Sequence, residues 1–204
     1  MLERASKATP TRFHHFLDKL AQSGRLHRHY TQNIDCLESK LPWLSHKTLQ
    51  LHGRLDTLVC QKRSTHSVQI TPEDFEQRVI SQCLECVEAD KARVEKGKRS
   101  HGVGVLLPKV LLYGAVPDES VIGDMAEGDL LQMVDAVIIA GTRLQIRPVK
   151  CLAEELCRAV KRAEGGGLSV WVNKEGPKLG PKLDSLLDYK FLGDCDEFAS
   201  LVSA

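Results

Sequence analysis

The sequence carries no surplus of charge of either sign: 28 Lys and Arg stand against 27 Asp and Glu in 204 residues. That balance removes the electrostatic case for nucleic acid or an anionic membrane surface as a partner of the whole molecule. No apolar run approaches the roughly 20 residues that a membrane-spanning helix needs. The opening Met1-Leu2-Glu3-Arg4 is polar and lacks the apolar core of a secretory leader. Internal repeats, low-complexity tracts and heptad runs are also missing. Seven cysteines make an odd count. With no leader, they point to a reducing intracellular compartment, where cysteine pairs serve as metal ligands more often than as disulfides.

What is present suffices for a folded domain. Hydrophobic residues reach 42%, which argues against wholesale disorder, and the length allows one cored domain with or without a small insert. Phe13, Phe16, Leu17 and Leu20 recur at helical spacing and predict a helix from Thr11 to Ser23, stopped by Gly24. Leu26 to Thr31 reads as a short strand, and Leu49 to Gly53 as a loop or strand end. From about Asp56 to Arg99 the chain changes character, with Cys60, Cys83, Cys86, many charges and little periodicity. Within it Lys91, Arg93, Lys96, Lys98 and Arg99 read as a solvated face. Val103 to Tyr113 is apolar and closes on Gly114.

Glu127 to Val134 predicts a helix. Asp135 to Ala140 is a continuous β-rich run ending at Gly141-Thr142, suited to a parallel strand buried on both faces. Val149 to Ala163 predicts a helix stopped by three glycines, Leu168 to Val172 a buried strand ending at Asn173, and Phe198 to Val202 a last helix. Strand and helix alternate with glycines at strand ends, which means a Rossmann-like, doubly wound parallel α/β sheet. We expect that domain over 1–55 and 100–204, with a small cysteine-bearing insert over 56–99. Ligands of such sheets bind at the carboxyl ends of strands, where Asn33, Thr142 and Asn173 stand.

Tyr30-Thr31-Gln32-Asn33-Ile34-Asp35 places two amides and a carboxylate within four residues at a strand end, enough to orient a sugar, a water and a carbonyl. Leu51-His52-Gly53 follows, and an imidazole there can take a proton near neutral pH. Gly141-Thr142-Arg143-Leu144 forms a turn at which backbone can approach a ligand closely. Cys83-Leu84-Glu85-Cys86 has the spacing of a thiolate metal knuckle. Cys36, Cys151, Cys157 and Cys195 read as small packed hydrophobes.

Thr31 to Asp35 matches the Thr-Gln-Asn-Ile-Asp signature of the sirtuins letter for letter, and the resemblance runs from about Thr11 to the end. Sirtuins are NAD-dependent protein deacylases, so the resemblance implies NAD as cofactor and an acyl-lysine protein as partner. It makes His52 the catalytic base on a ribose hydroxyl, with Asn33 and Asp35 catalytic beside it. It gives Gln32, Asn33 and Asp35 to the nicotinamide and ribose region. Gly141 and Thr142 resemble the Gly-Thr-Ser-Leu turn, with Arg143 in place of Ser. Asn173 and Glu175 resemble the strand end at the adenosine ribose, and Cys195 the segment that reads adenine. Val110, Leu111, Leu112, Tyr113 and Gly114 resemble the strand that pairs with the substrate peptide, although Ala115 replaces the usual Glu.

The family's zinc module has two Cys-x-x-Cys pairs. Here the first is Cys60-Gln61-Lys62-Arg63, so the resemblance implies zinc on Cys60, Cys83 and Cys86, with His66 near enough to substitute. Cys36, Leu112-Tyr113-Gly114 and Arg147-Pro148-Val149-Lys150 look closest to the fungal nuclear sirtuins that act on histones. This implies a nuclear rather than cytoplasmic place, a histone tail or core as substrate, and chromatin silencing. The family's Gly-Ala-Gly-x-Ser turn and Gly-x-Pro-Asp-Phe-Arg loop are not found. The chain by itself is therefore expected to deacylate little, and an inactive binding module and NAD-dependent ADP-ribosyl transfer stand as alternatives.

Overall fold

The computed structural model describes residues 7–71, 82–110, 128–129, 134–163, 165–177 and 180–203. Most of the helix expected over 127–134 lies outside them, as do Leu111, Leu112, Tyr113 and Gly114. The chain falls into two compact units, one drawn from 1–9, 31–37 and 52–115, the other from 10–30, 38–51 and 116–204.

The second unit contains a parallel sheet of β6 (Ala136–Ala140), β7 (Leu168–Asn173) and β8 (Tyr189–Leu192), in that order. Helix α4 (Arg147–Arg162) joins β6 to β7. It forms because Val149, Leu152, Ala153, Cys157 and Val160 recur along one buried face, with Pro148 at its start and Lys161 and Arg162 in its last turn. That face packs with Ile139, Trp171 and Leu183 in the largest core cluster. Cys157 sits within it, and burial pushes its thiol up to about 11. Cys151 falls off the apolar stripe and is exposed, contrary to its expected packing. The short α5 (Pro181–Asp184) lies between β7 and β8.

β7 is a buried strand as its sequence predicts, with Ser169 to Val172 all buried. The buried Ser169 hydroxyl is satisfied by Leu186 O and by Asp188 Oδ2. β6 departs from expectation. Of its five residues only Ile139 is buried, and Ile138 is 36% exposed. Among the described residues β6 is an edge strand with β7 alone beside it, so its apolar run is covered on the Ile139 side only.

Around this sheet, α1 (Arg12–Gln22) buries Leu17 and Ala21 and packs through Leu17 with Leu41 and Leu44. Its Phe16 ring meets Phe198 of α6 (Cys195–Val202) edge-on at 6.4 Å. Asp18 Oδ1 accepts the N–H groups of Trp43 (3.0 Å) and Leu44 (2.8 Å), satisfying the start of α2 (Pro42–Ser45). Strand β1 (His29–Thr31) pairs with β2 (Thr48–Gln50). At the entry to β1, buried Asp129 accepts from Arg28 (2.8 and 3.0 Å), His27 (2.9 Å) and the Tyr30 hydroxyl.

The first unit is an antiparallel sheet in the order β4-β3-β5, with β3 (Gly53–Cys60) central, β4 (Ser67–Gln69) and β5 (Leu106–Val110). Helix α3 (Leu84–Glu95) completes it. Its buried cluster is Leu58, Cys60, Cys83, Cys86 and Leu106. Three of those five are cysteines, which is why the segment shows little apolar periodicity. β5 is an edge strand among the described residues and carries Pro108 and Lys109. The basic residues after Lys91 are mostly exposed, with Arg93 Nε donating to Arg99 O at 2.7 Å.

Burial works against ionisation of Asp129, but the hydrogen bonds from Arg28, Tyr30 and His27 prevail and hold its pKa at about 2. A carboxylate held below its unfolded value of about 4 stabilises the fold above that pH, and the contribution is lost as pH falls through the folded value. Asp129→Asn is therefore expected to be less stable than the parent at pH 7 and to approach it as pH drops from about 4 to 2. Urea denaturation across that range measures this, and parallel curves for the two proteins would refute it.

Candidate functional site

In the first unit the chain leaves β1 into Gln32-Asn33-Ile34-Asp35. Two side chains fold this segment onto itself: Thr31 Oγ1 accepts Asn33 N–H at 3.1 Å, and Asp35 Oδ1 accepts Leu37 N–H at 3.4 Å. Cys36 takes a positive φ of 58°, and Ile34 O accepts Leu55 N–H at 3.1 Å, tying the loop to β3. His52 immediately precedes β3, and its Nε2 lies 3.4 Å from Gln32 Oε1. His52, Gln32 and Asp35 are half-buried and Asn33 is exposed, so the loop offers polar groups beside an imidazole that solvent can reach.

Gly53 explains why a glycine follows the histidine. Its φ is +83°, and a Cβ there would stand 2.1 Å from Lys109 O of β5. Only a residue without a side chain lets β3 begin flat against β5, and that start sets the position of His52. Gly53→Ala is expected to cost about 2 kcal/mol or more, combining the left-handed backbone with a clash against main chain. Chemical denaturation measures it, and a variant as stable as the parent would refute the contact.

At the other end of β3 stands a second constellation. Cys60 Sγ is 3.6 Å from Cys86 Sγ, and His66 Nδ1 is 3.3 Å from Cys83 Sγ and 3.5 Å from Cys86 Sγ. All four ligand atoms lie within 4.8 Å of one another. A tetrahedral zinc with bonds of about 2.3 Å to sulfur and 2.0–2.1 Å to nitrogen requires S···S edges of about 3.8 Å and S···N edges of about 3.6 Å. The donor set therefore fits zinc in both chemistry and size. Burial of Cys60 opposes its thiolate, but the backbone N–H groups of Lys62 and Arg63 and the thiols of Cys86 and Cys83 outweigh it and lower its pKa. Arg63, where the resemblance leads one to expect a second cysteine, is exposed. Gly104 closes the site: a Cβ there would lie 2.4 Å from Cys60 Sγ. The purified chain is expected to carry one zinc, and Cys86→Ser to lose it. Chelation should unfold the β3–β5 sheet and α3, because metal binding and folding of such a unit are one equilibrium. Metal analysis and circular dichroism check both, and an intact signal in excess chelator would refute the link.

In the second unit the sequence-predicted residues gather at the carboxyl edge of the parallel sheet. Gly141 takes a positive φ of 61° and donates its N–H to Val172 O at 2.9 Å. Asn173 Nδ2 donates to Thr142 O at 2.7 Å, and Thr142 Oγ1 accepts Leu144 N–H at 3.1 Å. A Cβ on Gly141 would meet Cys195 Sγ at 3.6 Å, so Cys195 backs the turn. Burial raises the Cys195 thiol, with Asp194 and Asp196 adding to the effect. Arg143 and Glu175, both exposed, pair at 3.7 Å. Gly141, Thr142, Asn173 and Cys195 thus form one cradle, with Arg143 and Glu175 at its rim. Of the residues expected from the resemblance to pair with a substrate peptide, only Val110 is described, at the end of β5 and opposite Gly53. Sequence reasoning passed over Glu85, whose Oε2 lies 3.6 Å from His66 Nε2; its place inside the Cys-x-x-Cys pair was the available signal.

The chain is similar to known proteins in sequence and in fold. The model of the Sir2 family matches residues 1–148. The NAD-dependent protein deacetylase hst4 of Emericella nidulans is 37% identical over 98% of this chain and 35% of its own length. The NAD-dependent histone deacetylase HST4 of Saccharomyces cerevisiae is 38% identical over 98% of this chain and 59% of its own. The chain thus spans between about a third and three fifths of these relatives. Among solved structures, a Sir2–p53 peptide–NAD+ complex superposes with a TM-score of 0.67 at 21% identity, covering 97% of this chain and 70% of that one. A mutant Sir2 homologue–ADP ribose complex reaches 0.72 at 20% identity, covering 98% and 68%. With the signature loop, the strand-end cradle and the cysteine–histidine cluster in place, this chain belongs to the Sir2 family, the sirtuins.

Proposed function

We propose that this chain carries the catalytic machinery of an NAD-dependent protein lysine deacetylase that acts on histones in the nucleus. The observation that carries the proposal is the His52–Gln32 pair at 3.4 Å, set on the Thr-Gln-Asn-Ile-Asp loop. Relatives named as histone deacetylases support the substrate class. NAD, when bound, supplies the ADP-ribosyl group that accepts the acyl chain. His52 takes a proton from a ribose hydroxyl, and Gln32 holds the imidazole in place. Asn33 and Asp35 orient the nicotinamide-ribose end and a water. In the other unit, Gly141, Thr142, Asn173 and Cys195 cradle the nucleotide, with Arg143 and Glu175 beside it.

The acyl-lysine peptide adds as a strand along Val110, Leu111, Leu112, Tyr113 and Gly114. Val110 supports this, because it closes an edge strand whose only sheet neighbour among the described residues is β3. Main-chain pairing then supplies affinity, and side-chain pockets selectivity.

The test is NAD-dependent deacetylation of an acetyl-lysine histone peptide. It is run on this chain and on the same chain joined to the remaining N-terminal part of a matched relative. Activity is expected in the longer protein, and His52→Ala should lower it about 10²–10⁴-fold. Nicotinamide release without loss of acetyl groups would replace deacetylation by ADP-ribosyl transfer. Absence of nicotinamide release from the longer protein, or full activity of its His52→Ala variant, would overturn the proposal.

A further inference from the structure

The cysteine–histidine cluster holds one detail that the family pattern does not supply. The imidazole of His66 is turned so that its two nitrogens face different partners. Nδ1 stands over the sulfurs of Cys83 and Cys86, at 3.3 and 3.5 Å. Nε2 stands 3.6 Å from Oε2 of the exposed Glu85 carboxylate, an ion-pair distance just beyond hydrogen-bond length.

The backbone dictates this orientation. The chain leaves β3 at Cys60 and turns at Arg63, where His66 N–H donates to Arg63 O at 3.0 Å. It returns with His66 O accepting Cys60 N–H at 3.0 Å. The turn carries position 63, which the Cys-x-x-Cys spacing assigns to a ligand, away as an exposed arginine and brings His66 in behind it. The His66 side chain is only 12% exposed, so its ring has little freedom to turn over. Glu85 sits between the two ligand cysteines in the first turn of α3, and its backbone is fixed by the same helix that fixes Cys86.

We propose that Glu85 is a positioning residue for the metal centre. It keeps the imidazole proton on Nε2, so that Nδ1 is the metal-binding nitrogen of a Cys60–His66–Cys83–Cys86 zinc site. The inference rests on reading the cluster as a zinc site. The physical reason is that a ligand histidine binds through its unprotonated nitrogen, and an acceptor on the far nitrogen selects that tautomer and raises ligand basicity. Three thiolates and a neutral imidazole leave a zinc site with one negative charge, one fewer than four thiolates carry. Glu85 restores a negative charge close to the site without entering the ligand shell.

Three variants of the full chain separate this role from a helix-stabilising one. Glu85→Ala removes the acceptor. Glu85→Gln removes the charge but keeps an oxygen able to accept from Nε2–H. Glu88→Ala removes an exposed carboxylate one turn along the same helix. Zinc affinity, measured by competition with a chromophoric chelator, is expected to fall about tenfold to a hundredfold in Glu85→Ala. Glu85→Gln should keep most of the parent affinity, and Glu88→Ala all of it. Histidine 15N spectra of the zinc-loaded parent should show metal on Nδ1 and the proton on Nε2 of His66. Cobalt substitution should give the absorption of a three-sulfur, one-nitrogen site, lost in His66→Ala. A parent that binds no zinc at one equivalent would overturn the metal reading itself. A zinc-loaded parent with Glu85→Ala of equal affinity, or with metal on Nε2, would overturn the role of Glu85 alone.

Discussion

The pairing of β3 with β5 is the constraint on which the first unit depends. β3 runs from Gly53 to Cys60, so one strand has the candidate catalytic histidine at one end and a metal-cluster cysteine at the other. Its start is fixed by main chain meeting main chain, Gly53 against Lys109, and its end by Cys60 opposite Leu106. A register slip of one residue would turn Leu55 and Leu58 out of the core and carry Cys60 away from Cys86. The register changes between Arg54 and Leu58, so the irregularity falls between the two functional ends and leaves each with its own pairing. The cysteine–histidine cluster and the histidine loop are thus linked through a single strand, although nothing in the chemistry of one requires the other.

In the second unit the corresponding constraint is polar. The carboxyl edge of the sheet is held by Gly141 N–H on Val172 O and by the Asn173 amide on Thr142 O. These bonds cross from the end of β7 to the turn after β6, where a parallel sheet leaves strand ends unpaired. At the opposite edge, Asp188 Oδ2 accepts both the N–H and the hydroxyl of Ser169, while its other oxygen meets Lys161. The Lys161 and Ser169 hydrogen bonds hold that carboxyl down at about 2. The two ends of β7 are therefore tied by side chains as well as by the ladder, which stabilises the cradle without a large apolar contribution from it.

Much of this was readable in the residues because its signals are local. The loop after β1 is a run of five letters, and β6, α4 and β7 follow from apolar periodicity and glycine stops. What escaped reading depends on three-dimensional return. β3, β4 and α3 could not be seen because their core is built from thiols rather than from a periodic set of aliphatic side chains. His66 could be suspected from its nearness to Arg63, but which nitrogen faces the sulfurs is decided by the turn from Arg63 to His66. The exposure of β6 was hidden for another reason: a strand rich in Val and Ile reads the same whether one or both of its faces are covered. Cys151 shows the limit of composition, since its neighbour Leu152 is buried while it points outward one position around the helix.

β5 also bears on how this molecule avoids its own kind. An open strand edge is a template for any other extended chain, including a second copy. Along the edge of β5 that has no strand beside it among the described residues, Pro108 has no N–H to give and Lys109 places a cation beside it, two devices that discourage indiscriminate strand addition. The same composition makes the edge selective rather than merely closed, because an incoming strand must do without one hydrogen bond and tolerate one positive charge.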